Sequence, residues 1–218
     1  MERERWGLER ALSAYLAGVC AVRDVSARFA PDDWVLASPC PDWRAVDVAG
    51  HLRCLADNHH EYLDDAPDSR LARLYEQTGA GELIRTIDRQ NAAELAALPD
   101  AAGPELVAAF ADTATRYAER LPEVWERVHH RRGGASFTVG SFAAVACTEW
   151  HLHAWDLAQA AGHDYRPDDP EALLVAWSVG RSYLPVTVRD PWRAVLVASG
   201  RSPRRTPAAS PAGTGAVG

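Results

Sequence analysis

Apolar residues recur every three or four positions through most of this chain, a spacing that predicts amphipathic helices separated by proline, glycine and polar residues. The predicted helices cover approximately residues 5–29, 43–63, 80–98, 104–121, 141–162 and 171–183. A polar loop is expected around Pro67, an extended or turn-like segment at 128–140 and a short apolar segment at 192–199. The pattern favours an all-α protein, a four-helix bundle with additional short helices.

The fifth predicted helix, SFAAVACTEWHLHAWDLAQAAG, begins at Ser141 and ends at Gly162. Within its apolar stripe it carries Glu149, His153 and Asp156, which are four and three positions apart and therefore share one face. An unpaired buried charge is costly, so these side chains require partners. A metal ion held by Glu149 and His153 together is the simplest explanation.

A third ligand is expected from the predicted helix at 43–63, where His51 lies within an apolar stripe. Two helices with polar residues facing inward can build a metal site in the core of a bundle. The same spacing has a second reading, in which His51 and His153 are core histidines with hydrogen-bond partners and Glu149 pairs with one of them. Spacing alone leaves both interpretations open.

Composition narrows the classes of function. The chain has 218 residues, 47% of them hydrophobic, which suits one domain with a substantial core. Its net charge of −7 argues against a nucleic-acid partner. No apolar run reaches transmembrane length, and the N-terminal stretch MERERWGLERAL is too charged for a signal peptide, so we expect a cytoplasmic protein without a membrane partner. The four cysteines lack a CxxC pair and are expected to be reduced there.

Several other histidine, cysteine and tryptophan side chains are expected to have structural positions rather than a role in metal binding. Four histidines are expected at the surface: His59, His60, His129 and His130. His151 falls on the opposite face of its helix from Glu149 and is not an expected ligand. Cys54 and Cys147 are close in sequence to the predicted ligands, but a role as small buried apolar residues is favoured for both. Two tryptophans are candidates for the surface of a homodimer, Trp6 and Trp192.

Two motifs carry a resemblance to a known family. SPCPDWRAVDVAGHL has a Cys-containing turn, a Trp, a short spacer and a His. EWHLHAWDLAQAAG has a Glu, three residues, a His, one residue, a Trp, then an Asp and a small-residue run ending in Gly. Their order and spacing resemble the DinB-like metalloprotein superfamily and, more narrowly, the N-terminal domain of mycothiol-dependent maleylpyruvate isomerase. A third stretch, DRQNAAELAAL, is similar to the segment between the second and third helices of that bundle. The similarity covers roughly residues 5–165.

The resemblance implies a DinB-like four-helix bundle that holds a divalent metal through three protein ligands. The family's metal-binding His, Glu and His fall on His51, Glu149 and His153. Zinc is the expected metal, although two histidines and one carboxylate also suit Ni²⁺ or Fe²⁺. An open coordination position would bind a small thiol such as mycothiol, which a metal converts to a thiolate nucleophile near neutral pH.

Two further residues receive roles. Asp156, three positions after His153, is placed to accept a hydrogen bond from that ligand. Relatives carry an Arg just before the Asn that corresponds to Asn91, where it can hold a substrate carboxylate. Here that position is Gln90 and the arginine is Arg89, one residue earlier, so substrate binding by Arg89 is a candidate role beside that of a solvated surface residue.

The favoured function is a metal-dependent thiol S-transferase of mycothiol type that acts on a small electrophile. One alternative is a thiol-dependent isomerase or lyase of a small unsaturated acid, since the same thiolate begins both reactions. Another is a non-catalytic metal-binding protein in which Cys54 or His59 fills the open position. The predicted organisation is a bundle at 1–165, a short C-terminal helical extension at 166–201 and a disordered tail at 202–218.

Overall fold

The computed structural model of the protein describes residues 6–65, 70–77, 79–181 and 188–201. These residues are mostly helical, which confirms the predicted all-α class. The predicted disordered tail at 202–218 lies outside the described residues. Within the described ranges, no helix is both long enough and apolar enough to cross a membrane.

The helices and strands are numbered in chain order. The helices are α1 (Leu8–Ser26), α2 (Ala45–Asp65), α3 (Arg70–Gln77), α4 (Ala80–Ala97), α5 (Gly103–Val124), α6 (Val139–Ala160), α7 (Pro170–Arg181) and α8 (Pro191–Ala198). A short 3-10 helix spans Pro31–Val35. The strands β1 (Val128–Arg132) and β2 (Ala135–Thr138) pair antiparallel. Gly133 and Gly134, with φ of 56° and 80°, supply the two left-handed residues that a tight hairpin turn requires.

Helices α1, α2, α5 and α6 form the four-helix bundle, in which α1 and α2 each pack against both α5 and α6. Large side chains fill the space between them, among them Tyr15, Tyr117 and Trp150, all almost fully buried. Tyr15 stacks on Tyr117 with ring centroids 5.6 Å apart and meets the edge of Trp150 at 5.8 Å. Helix α7 then packs on α6, and α8 packs on α7. Helix α6 is therefore covered on nearly all sides, and 18 of its 22 residues are buried.

The start of α6 differs from the prediction. Thr138, not Ser141, is the N-cap: the Thr138 hydroxyl accepts a hydrogen bond from the backbone N–H of Ser141 at 3.2 Å. Both residues are good caps, and the preceding strand β2 decides between them because it ends at Thr138. Gly162, with φ of 72°, ends the helix as predicted.

Two other predictions were wrong. Pro67, around which a polar loop was expected, lies outside the described residues, but the residues expected to continue that loop form a short helix, α3. Trp6 and Trp192 are buried, each with 4% of its surface exposed, so neither marks a dimer surface. Trp6 donates its indole N–H to the carbonyl of Gly140, and Trp192 meets the edge of Tyr165. The homodimer stays a prediction without that support.

Candidate metal centre

The packing of α2 against α6 brings the three predicted ligands together. His51 lies on α2, and Glu149 and His153 lie one turn apart on α6. One ligand atom from each of the three lies within 4.8 Å of the others. The rings of His51 and His153 meet edge to face, with centroids 5.0 Å apart. That this group binds a metal stays a prediction, but the geometry it requires is present.

The orientation of His153 is set by Asp156. Nδ1 of His153 lies 2.9 Å from Oδ2 of Asp156, one turn further along α6. Burial opposes ionisation of Asp156, but Arg201 and His153 outweigh it and lower the pKa of this carboxyl to about 2. An ionised carboxylate only accepts hydrogen bonds, so Nδ1 of His153 is the donor and Nε2 faces the other way.

That other nitrogen points at a carboxylate. Nε2 of His153 lies 3.3 Å from Oε2 of Glu149. Burial alone would lower the pKa of His153, but hydrogen bonds with Asp156, Cys40 and Glu149 raise it well above the ordinary value. A lone pair on Nε2 would face the lone pairs of Oε2 without a positive charge between them. The site thus requires either a proton or a metal cation at this point.

The third member of the group is neutral. Burial, followed by the charge of His153, lowers the pKa of His51 to about 3. A neutral imidazole keeps a lone pair for a metal, whereas an imidazolium has none. The ring of Trp43 packs beside His51, with centroids 4.9 Å apart, and so helps to hold it in place.

A second group of three also has metal-ligand chemistry: Cys40, His153 and Asp156. There, however, a guanidinium already fills the place of a cation. Arg201 donates from Nε to Oδ1 of Asp156 at 2.9 Å and from Nη2 to Oδ2 at 2.5 Å. Oδ2 also accepts from His153 and from the thiol of Cys40, at 3.2 Å. The carboxylate of Asp156 is saturated, so the group around His51 is the better candidate.

Glu149 is also contacted by an arginine, but through one oxygen only. Arg181, the last residue of α7, donates from Nη2 to Oε1 of Glu149. Its other terminal nitrogen donates to the hydroxyl of Thr148 at 2.6 Å, and its guanidinium lies 4.4 Å from the centre of the Trp177 ring. Burial opposes ionisation of Glu149, but Arg181 and His153 hold the pKa of this carboxyl well below the usual range. Oε2 is left to face His153.

The metal-ligand group borders a cavity of about 640 Å³. His51 and Glu149 form part of its wall, and most of the remaining wall comes from α2, α4, α6 and the hairpin. Apolar and aromatic side chains line much of it, including Tyr62, Tyr75, Ile87, Phe137, Phe142 and Val145. Polar side chains of Asn58, Gln90, Asn91 and Ser141 also reach it. A cavity of this size and lining suits a small organic molecule.

Comparison with known families identifies the chain. Residues 16–158 match the family described as mycothiol maleylpyruvate isomerase N-terminal domain, well over half of the chain. This protein belongs to that family. The family is DinB-like, mycothiol-related and metal-binding, and the matched range contains His51, Glu149, His153 and Asp156. Searches of curated proteins and of solved structures gave no significant match.

Of the four histidines that were expected at the protein surface, three are buried. His59, His129 and His130 have 3%, 2% and 5% of their surfaces exposed. Consecutive strand residues normally face opposite sides, but a register shift between Val128 and His130 interrupts β1 and allows both neighbours to be buried. His59 and His129 stack on Phe142, at 4.5 and 4.1 Å between centroids. His60 is partly exposed.

The remaining candidates are not members of the ligand group. Arg89 is exposed and donates to the hydroxyl of Thr86 at 3.1 Å, and it is absent from the cavity wall formed by the described residues. Its role in substrate binding stays a prediction. Cys54 and His59 belong to neither of the two groups found among the described residues. His151 lies against α1, where its Nε2 is 2.9 Å from the carbonyl of Ala14.

Sequence patterns missed Cys40, Arg181 and Arg201. Cys40 is half-buried in the loop before α2, and only its place in the SPCPDW motif of the family marks it. Arg181 is the last residue of α7 and Arg201 comes shortly after α8, places where an arginine is ordinary because it favours a helix C-terminus. Their contacts depend on how α7 and α8 pack on α6, which no local pattern contains.

Proposed function

We propose that the protein is a metal-dependent thiol S-transferase of mycothiol type. His51, Glu149 and His153 would hold a divalent cation, and a small thiol would be activated there for attack on a small electrophile. The observation that carries this proposal is the approach of Nε2 of His153 to Oε2 of Glu149, two atoms that need a proton or a metal cation between them, beside the neutral ring of His51 at a cavity wall.

The donor set suits the chemistry. Two imidazoles and one carboxylate are ligands for Zn²⁺, and also for Ni²⁺ or Fe²⁺. When bound, a divalent cation lowers the pKa of a coordinated thiol, so that the thiolate forms near neutral pH without a separate base. Three protein ligands leave a position for an outside molecule, which is the pattern of catalytic rather than structural sites.

The cavity supplies the rest of what transfer requires. The aromatic wall formed by Tyr75, Phe137 and Phe142 would exclude water and pack against the apolar part of an electrophile. The amides of Asn58 and Asn91 would offer hydrogen bonds to polar groups of a thiol such as mycothiol. All four cysteines of the chain are free. We further propose that the protein acts in the cytoplasm, where such thiols are reduced.

The family also supports a second candidate, a thiol-dependent isomerase or lyase of a small unsaturated acid. The chain's own residues would have the same tasks, because both reactions begin with thiolate attack. They differ in the fate of the sulfur: transfer leaves it on the product, whereas isomerisation releases the thiol. Mass spectrometry of the product and titration of free thiol therefore distinguish the two.

The test is elemental analysis of the purified protein beside variants. We expect close to one equivalent of zinc, nickel or iron in the wild type and none in the His51→Ala, His153→Ala double variant. His60→Ala, which removes a histidine outside both groups, is the matched control and should keep the metal. The loaded protein is then assayed with mycothiol and a panel of electrophiles.

Two results would contradict the proposal. Wild-type protein without metal, even after incubation with Zn²⁺, would return His51 and His153 to the role of core histidines. Thiol transfer that continues unchanged in His153→Ala would show that the reaction does not use this group.

A further inference from the structure

Two arginines from beyond the family-matched range contact the candidate metal centre. The match ends at residue 158, whereas Arg181 ends α7 and Arg201 follows α8. Arg181 binds Glu149, and Arg201 binds Asp156, the partner of His153. The α6 ligands are thus each connected to a guanidinium from the C-terminal part of the chain.

Arg201 fixes the carboxylate that orients His153. Asp156 is completely buried, and a buried carboxylate requires a fully paired environment. The guanidinium of Arg201, with 14% of the side chain exposed, meets both oxygens in a two-pronged contact that defines the plane of the carboxylate. Oδ2 is then directed at Nδ1 of His153, which fixes the imidazole with Nε2 toward Glu149.

Arg181 fixes the carboxylate of Glu149, as Arg201 fixes that of Asp156. By holding Oε1, it prevents rotation of the carboxylate and leaves Oε2 directed at His153. The guanidinium is itself fixed at two other points, by the hydroxyl of Thr148 and by the face of Trp177. A carboxylate held in this way presents one oxygen to a cation at little further entropic cost.

The backbone places both arginines firmly. Gly200, with φ of 78°, ends α8: its N–H donates to Val197, and the N–H of Arg201 donates to Leu196 at 2.8 Å. This pair of bonds is a Schellman motif, which fixes the direction in which Arg201 leaves the helix. Arg181 follows Gly180, where α7 approaches α6 closely.

We propose that Arg181 and Arg201 are positioning residues of the metal centre, so that the C-terminal extension completes a site whose ligands all lie in the bundle. This inference rests on the proposed function. The two guanidiniums also balance the charges of Glu149 and Asp156, which leaves the charge of a bound cation to be balanced by an anion from outside. A thiolate supplies one such negative charge.

The test measures Zn²⁺ affinity of the full chain by competition with a chromogenic chelator. We expect Arg201→Gln and Arg181→Gln each to bind Zn²⁺ about 10–100-fold more weakly than the wild type, the range typical of residues that orient metal ligands. The control is Arg166→Gln. Arg166 belongs to the same extension and pairs with Asp190 in an exposed ion pair, so its loss should change the affinity less than about twofold.

A second readout separates positioning from general stability. The visible absorption of the Co²⁺-loaded protein reports ligand geometry, and we expect it to shift in both Gln variants but not in Arg166→Gln. Arg201→Lys keeps the charge but loses the two-pronged contact, and should recover only part of the affinity. If Arg201→Gln does not fold, the Zn²⁺ affinity of Arg201→Lys is measured in its place.

The outcomes are distinct. Folded Arg181 and Arg201 variants with wild-type affinity and an unchanged Co²⁺ spectrum would overturn the positioning role while leaving the metal site intact. A wild type that binds neither Zn²⁺ nor Co²⁺ would overturn the proposed function, and this inference with it.

Discussion

At the scale of single residues, His153 connects the two halves of the candidate site. Helical spacing places Glu149 one turn before it and Asp156 one turn after it. One ring nitrogen faces each carboxylate, at 3.3 and 2.9 Å. The two carboxylates are not equivalent, because Asp156 is saturated by Arg201 and Cys40 whereas Glu149 keeps one oxygen toward the imidazole. What distinguishes the candidate ligand Glu149 from the supporting Asp156 is thus the set of neighbours of each carboxylate.

The first prediction concerns Cys40, the thiol of the second group. We expect Cys40→Ser to retain the metal content of the wild type, because Arg201 already occupies the cation position beside Asp156. The serine hydroxyl can still donate to that carboxylate. Elemental analysis checks this, with His51→Ala as the variant that should lose the metal. A metal lost in Cys40→Ser and retained in His51→Ala would assign the metal to the other group.

The candidate ligands could be picked out from the sequence, whereas the residues that support them could not. His51, Glu149 and His153 interrupt apolar stripes, and a polar residue in such a stripe must find a buried partner. Arg181 and Arg201 interrupt nothing in their own segments. Their pairing with α6 arises from tertiary packing across 32 and 45 positions of sequence.

At the scale of elements, close approach of helices determines how the C-terminal extension meets the bundle. A Cβ at Gly180 would lie 2.8 Å from Cγ2 of Val145 and 3.1 Å from its backbone nitrogen. Only glycine allows α7 to approach the backbone of α6 at this point. Since Arg181 is the next residue, the same contact sets the distance from its guanidinium to Glu149.

The second prediction follows from that contact. Gly180→Ala should lower the free energy of unfolding by about 1–3 kcal/mol, the usual cost of overpacking, because backbone atoms of α6 cannot move aside as a side chain could. Urea denaturation followed by tryptophan fluorescence measures this. Gly81→Ala is the control: it lies in α4 with its nearest neighbour 3.9 Å away, so its effect should stay under about 1 kcal/mol. Equal effects of the two changes would contradict the packing argument.

Helix bounds were predictable to within a few residues where a long apolar stripe exists. Helices α1, α2 and α5 lie within the expected ranges or close to them. Helix α3 was missed because its eight residues are too few to show a stripe. The burial of His129 was missed because it depends on the irregular register of β1 and on stacking against Phe142 of α6.

At the scale of the whole molecule, metal binding and folding should be linked. The three candidate ligands come from α2 and α6, so the group forms only when the bundle is assembled. The third prediction is that Zn²⁺ at 100 times its dissociation constant raises the free energy of unfolding by about 2.7 kcal/mol. Thermal unfolding with and without a chelator measures it. His51→Ala should lose this increment, and an increment retained there would place the metal elsewhere.

Acid should destabilise the molecule for a separate reason. Burial is the largest cause that lowers the pKa of five histidines, to about 3 for His51 and His129 and to about 4 for His59, His130 and His151. In the unfolded chain a histidine binds a proton below about pH 6.5. The stability that these five neutral histidines contribute is therefore fully present above that pH and is lost as the pH falls toward 4.

His59 offers the sharpest test of this acid sensitivity. Its Nδ1 is buried without a hydrogen-bond partner among the described residues, so His59→Phe removes a titrating group that stacks on Phe142 and replaces it with another ring. Between pH 7 and pH 5 one such histidine accounts for about 2 kcal/mol of lost stability, since its folded and unfolded pKa values lie on either side of pH 5. We expect the stability lost between these pH values to be smaller by that amount in His59→Phe, measured by urea denaturation of metal-free protein.

The control is Phe142→Leu, which should lower the free energy of unfolding at both pH values and keep the difference between them. If His59→Phe loses as much stability as the wild type, then burial of this imidazole is not what makes the bundle sensitive to acid.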